Sequence, residues 1–137
     1  MRTRALGFCL GLVLAGCLPI AVTSRLDIAE EARQSAVCAN AEACDAAWAR
    51  AVDWVGANCA FPIQTHTDVL VETEGPLGAP STDVACKLER VPVAEAGARL
   101  ELTPSCGNWF QCDPERDYLR ARFNGEMRAA MVPKPSP

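Results

Sequence analysis

Three groups of residues in this 137-residue chain are of types that do chemistry. The first is His66 with Asp68, in the stretch "FPIQTHTDVLVETEGP". Imidazole exchanges a proton near neutral pH, and a neighbouring carboxylate fixes its tautomer, so the two form the pairing of a general base with its orienting group. Residues two apart share a face only on a regular strand, where Thr65 and Thr67 fall on the opposite face and offer no activated nucleophile. The second group, Glu72 and Glu74, has the form of an acid pair or a hard-cation site. Hard cations want several convergent oxygens, and no D-x-D-x-D-G loop is present. A solvated strand face is the simpler reading of both groups. Ser105 lacks the G-x-S-x-G frame of a nucleophile elbow.

The third group is the cysteines, eight in all. Six lie in the body of the chain: Cys38, Cys44, Cys59, Cys86, Cys106 and Cys112. They contain no C-x-x-C step, and His66 is the one histidine available to them, so neither a zinc knuckle nor a thioredoxin-like redox pair is expected. No metal and no cofactor is expected. An even set suits three disulfides if the compartment is oxidising. The local pairing joins Cys38 to Cys44 and Cys106 to Cys112, which leaves Cys59 for Cys86. Residues six apart on one helix are about 9 Å apart, beyond bridging distance, so Cys38 must lie outside the helix that follows it. Trp109 and Phe110 sit inside the Cys106–Cys112 loop. They read first as rings plugging one end of the core; if exposed, they form a binding tip whose ordering cost is already met by the crosslink.

The compartment is read from the N-terminus. Met1 to Arg4 holds two arginines, and Ala5 to Gly16 is uncharged, which is the basic and then apolar pattern of an export signal. The run is short for a bilayer span, which takes about 20 apolar residues. Leu14-Ala15-Gly16-Cys17 resembles the lipobox of bacterial lipoproteins. That resemblance implies cleavage before Cys17, acylation of its thiol and new amine, and firm anchoring by three chains. Leu18 stands where enteric lipoproteins held at the inner membrane carry aspartate, so the expected address is the outer membrane, facing the periplasm. Loss of Arg2 and Arg4 from 13 basic residues leaves 11 against 17 acidic ones, a net charge of −6. This argues against nucleic acid, which needs a basic face.

The supporting elements are legible by period. In "CDAAWARAVDWVGANC", Trp48, Ala51, Val52, Val55 and Cys59 recur at helical steps, with Asp45 placed as N-cap and Gly56 and Asn58 as stop signals. Residues 63–73 alternate with many β-branched side chains and read as two strands bent near Thr67-Asp68. "GPLGAPSTD" is a loop, and "VACKLERVPV" and "ARLELTPSC" are two more strands. Asp113-Pro114 has the form of a helix start, Leu119, Phe123 and Met127 mark a buried face, and Asn124-Gly125 is an early stop signal. The expected fold is α+β: an antiparallel sheet of about four strands with two helices on one face, stapled by disulfides. Residues 1–16 are the signal, 17–37 a lipidated tether helical in part between Leu26 and Ser35, 38–131 the domain and 132–137 a loose tail.

Within residues 44–74, the run from Trp48 through Trp54-Val55, Phe61, Ile63-Gln64-Thr65, Thr67-Asp68 and Glu72-Thr73 is similar to small lipoproteins and periplasmic proteins of proteobacteria. A looser, fold-level likeness exists to the helix-then-hairpin units of lipoproteins in outer-membrane assembly machinery. These resemblances imply a lipid-anchored structural or protein-interaction module of the cell envelope, with the membrane and an envelope protein as partners. The alternative is a small envelope hydrolase or ligand-binding protein using His66 and Asp68.

Overall fold

A computed structural model describes residues 25–76, 80–94 and 97–132. Cys17, the segment read as a signal and the end of the tail lie outside the described residues. In chain order the elements are α1 (Arg25–Arg33), β1 (Ala36–Cys38), α2 (Ala41–Asn58), β2 (Ile63–His66), β3 (Leu70–Thr73), β4 (Ala85–Pro92), β5 (Ala98–Ser105) and α3 (Arg116–Met131). The strands form one antiparallel sheet in the order β1-β5-β4-β3-β2. The class is α+β, with five strands where about four were expected; besides the two expected helices on the sheet, α1 covers the stretch read as partly helical between Leu26 and Ser35.

The fifth strand comes from the segment read as tether. Ala36, Val37 and Cys38 pair with Leu100, Arg99 and Ala98 across the edge of the sheet. Three residues are too few to show a period, and the partner strand lies some sixty positions away in sequence, so nothing local marked them.

Strands β4 and β5 carry the central contrast between faces. Leu88, Leu100 and Leu102 are buried, and Val71 of β3 stands beside Leu88 in register. Lys87, Glu89, Arg99 and Glu101 alternate with them on the other face, where Lys87 pairs with Glu89 at 3.0 Å. Alternation of this kind is what an antiparallel sheet covered on one side requires. Helices α2 and α3 supply the cover. Ala47, Trp48, Ala51, Trp54 and Val55 of α2 and Leu119, Phe123 and Met127 of α3 join the sheet residues in one core. Each large side chain fully withdrawn there contributes about 1.5–3 kcal/mol. Trp54 meets Phe123 edge-on, with ring centroids 5.2 Å apart, and its indole N–H donates to Glu126 at 2.8 Å.

Local signals differ from expectation at three places. Asn40, not Asp45, caps α2: its side-chain oxygen accepts the amide of Ala43 at 2.9 Å, one turn earlier than the apolar stripe indicated. Helix α3 starts at Arg116 rather than at Pro114; ahead of it the Asp113 amide donates to the carbonyl of Thr82 at 2.8 Å and this segment bridges to Asp83. Asn124-Gly125 does not end α3. Asn124 is buried and donates to the carbonyls of Glu31 and Ala32, both at 3.1 Å, so it clamps α1 onto α3. Arg128 adds a pair with Glu31 and a bond to the carbonyl of Gln34.

Disulfides join Cys38 to Cys44, Cys59 to Cys86 and Cys106 to Cys112, with Cα separations of 5.1, 6.1 and 5.7 Å. Cys38 lies in β1 and Cys44 in the first turn of α2, so the six-residue step crosses from strand to helix and closes within bridging distance. Gly97 is required at the same junction. A Cβ there would come within 2.6 Å of the carbonyl oxygen of Cys38.

Candidate functional site

The segment from β5 to α3 builds a rigid projection. Cys106 and Cys112 close it covalently, and inside it the side-chain oxygen of Asn108 accepts the amide of Phe110 at 2.9 Å, which turns the chain at its apex. At its base Gly107 lies against Ser81 and Pro76, 3.2 Å from each where its Cβ would stand. Trp109 is 81% exposed and Phe110 75% exposed, and their rings stack with centroids 3.6 Å apart. The rings therefore do not plug the core. They stand in solvent on a loop held from both ends, where large apolar groups are rare without a partner.

A cavity of about 610 Å³ opens beside this tip, between the start of α1, strand β5 and the start of α3. Phe110 forms one wall; Arg25, Arg116 and Arg120 form much of the rest, with Glu115 and Asp117 among them. Arg120 is held by the carbonyl of Leu102 at 3.2 Å and by Asp117 at 3.5 Å. Arg25 and Arg116 make no ion pair among the described residues.

His66 and Asp68 lie elsewhere, at the β2 edge of the sheet. Ile63 pairs with Thr73, but Thr65 pairs with Glu72 and His66 with Val71, because one extra residue is accommodated at Gln64. This bulge reverses the side on which the following residues project. A regular strand would put His66 on the face opposite Ile63; the bulge puts it on the helix side, with Val71. There it borders an open cleft of about 570 Å³ with Asp68, Trp48, Asp53, Asp45 and Arg90. Arg90 and Asp45 pair at 2.8 Å across the cleft. The Trp48 indole nitrogen is buried and has no hydrogen-bond partner among the described residues. His66 and Asp68 are both exposed, and no hydrogen bond joins them among the described residues. Glu72 is half-buried on the other face near Lys87, and its charge helps hold the Lys87 ammonium above its usual range, after the larger effect of Glu89. Glu74 is exposed.

No cluster of three or more His, Cys, Asp or Glu side chains able to hold a metal occurs among the described residues. No helix among them is long and apolar enough to cross a membrane. Compared with family models, with curated proteins and with solved structures, the chain matches none.

Trp109 and Phe110 are thus the sequence candidates that stand together in the open, and Arg25 and Arg116 are residues that sequence reasoning missed beside them. No local signal marks those arginines. They meet through the docking of α1 on α3, which depends on Asn124, a residue whose type suggested a stop. Asp53 and Arg90 were missed at the His66 cleft for a similar reason, since only the bulge brings the histidine to their side of the sheet.

Proposed function

We propose that the protein is a lipid-anchored interaction module of the bacterial cell envelope, held by acylated Cys17 on the outer membrane and facing the periplasm. The observation that carries this reading is the crosslinked loop presenting a stacked, solvent-exposed Trp109–Phe110 pair. Aromatic anchors on a preorganised support lose little conformational freedom on contact, which is what a docking element needs. Three disulfides suit an oxidising compartment, and the lipobox resemblance supplies the route to it.

Two measurements test the reading. The intact mass of protein from the membrane fraction, alkylated without reductant, is expected to equal Cys17 to Pro137 plus acyl chains with no alkylated thiol. A photo-crosslinking residue at position 109 of the full chain is expected to give adducts in the envelope that the same residue at Ala57, on the exposed side of α2, does not. Equal adducts at the two positions would sink the proposal.

A second reading rests on the β2 bulge, which gathers His66, Asp68, Asp53 and Trp48 around one cleft. It makes the protein a small envelope hydrolase or ligand-binding protein, with His66 as base and Asp68 or Asp53 as its orienting carboxylate. Turnover of an ester and peptide panel by wild type and by His66→Ala decides it; equal rates remove the hydrolase.

A further inference from the structure

We infer that the surface the tip meets is the lipid headgroup layer of the membrane that carries the anchor, with zwitterionic phospholipid as its ligand. The inference rests on the acylation of Cys17 and names the partner left open above. Eight Cα steps separate Cys17 from Arg25, and at about 3.3–3.6 Å per step they span at most about 29 Å in any conformation. Arg25 is where that chain joins α1, and it lines the same cavity as Phe110. The tether therefore enters the domain at the tip end, which puts the tip within reach of the bilayer that holds the acyl chains.

The chemistry at this end matches a bilayer interface. Trp109 and Phe110 are joined in exposure by Leu26, next to Arg25 and 81% exposed. Tryptophan concentrates at the headgroup level, where its ring is half in hydrocarbon and its N–H stays hydrated. Arg25 and Arg116 offer planar donors to a phosphodiester, and Glu115 and Asp117 on the same wall offer acceptors to an ammonium. A near-balanced set of this kind fits a headgroup carrying both charges. It also explains how a chain that carries a net charge of −6 once cleaved before Cys17 can face a membrane without a basic patch.

The test uses full-chain acylated protein in phosphatidylethanolamine-rich vesicles whose acyl chains are brominated. Of three tryptophans, Trp48 and Trp54 are 7% and 6% exposed, so a change on vesicle contact belongs to Trp109. Expected are flotation with the vesicles, loss of the Trp109 share of the emission by bromine quenching, and absence of that loss in Trp109→Phe. Arg25→Gln with Arg116→Gln is expected to weaken the quenching while flotation persists. Flotation with Trp109 unquenched and open to acrylamide overturns the inference and returns the tip to a protein partner, leaving the anchor intact. Failure to float overturns the anchor reading and this inference together.

Discussion

Replacing Asn124 by alanine is expected to detach α1 from the domain while leaving the sheet in place. Asn124 is 1% exposed, and its amide donates two hydrogen bonds of 3.1 Å to carbonyls in the last turn of α1, where a helix has no donors of its own left. A neutral bond of this kind contributes about 1 kcal/mol net, so two give about 2 kcal/mol. The carbonyl of Glu31 retains the amide of Gln34 at 3.1 Å, which keeps the loss from growing much beyond that. About 2 kcal/mol lowers the melting temperature of a domain this size by about 10 °C. Hydrogen exchange gives the decisive assay: amides of residues 25–33 should lose protection by a larger factor than those of β4 and β5, because α1 opens as a local unit. Asn124→Asp separates bonding from packing. It keeps the shape, removes both donors, and aims a carboxylate at two carbonyls, so near neutral pH it should be worse than alanine. Burial and the facing carbonyls raise the folded-state pKa of that carboxyl. The stability deficit of Asn124→Asp should therefore shrink as the pH falls through that raised value, where the protonated acid can donate again. If Asn124→Asp is as stable as wild type, or if α1 keeps its protection in Asn124→Ala, the clamp does not work as described.

Two glycines should respond in opposite directions. Gly97→Ala drives a methyl to within 2.6 Å of the Cys38 carbonyl oxygen and should cost about 1–3 kcal/mol in urea denaturation, whereas Gly56→Ala, in α2 with nothing within 4 Å, should stabilise by up to about 1 kcal/mol. The same sign for both, or a Gly97→Ala variant as stable as wild type, would contradict the packing at the β1–β5 junction. Among the disulfides, the chain-entropy relation gives about 3.6 kcal/mol for Cys59–Cys86, with a separation of 27, and about 2.2 kcal/mol for Cys38–Cys44, with a separation of 6. Paired Cys→Ala variants should therefore lower the urea midpoint in that order. The Glu30 carboxyl accepts from the Gln34 side-chain amide and the Arg33 guanidinium, which hold it below the usual carboxylate range. Its depressed folded-state pKa makes its stabilising effect present above the unfolded value and lost as the pH falls through the folded one. NMR titration should place Glu30 below an ordinary glutamate, and Arg33→Gln should move it up.

What could be read from the sequence follows from which signals are local. The stripe of Trp48, Ala51, Val52 and Val55 identifies α2, because four residues at helical steps leave no other face to bury. Alternation around Leu88 and Leu100–Leu102 identifies β4 and β5 for the corresponding reason. The C-x5-C spacings favour local bridges, since a short chain segment can close them wherever a turn intervenes. Asn124 shows where this kind of reasoning ends. Asparagine followed by glycine is a stop signal in isolation, because nothing local satisfies the side chain; here the carbonyls of Glu31 and Ala32, more than ninety positions away, satisfy it, and the helix runs on for almost two turns. The bulge at Gln64 is invisible for a related reason: it exists because Thr73 and Glu72 of the partner strand set the register. The same holds for the tip, where tryptophan is equally at home in a core or at an interface and only the surrounding chain decides. The residues that matter most to the proposed contact thus come together through tertiary packing. Arg25 reaches the Phe110 cavity because α1 lies along α3, and α1 lies there because Asn124 and Arg128 hold its last turn. If the tether pulls on Arg25, that clamp is what transmits the pull to the loop bearing Trp109, so loosening it should blunt membrane contact by the tip without changing a single residue of the tip itself.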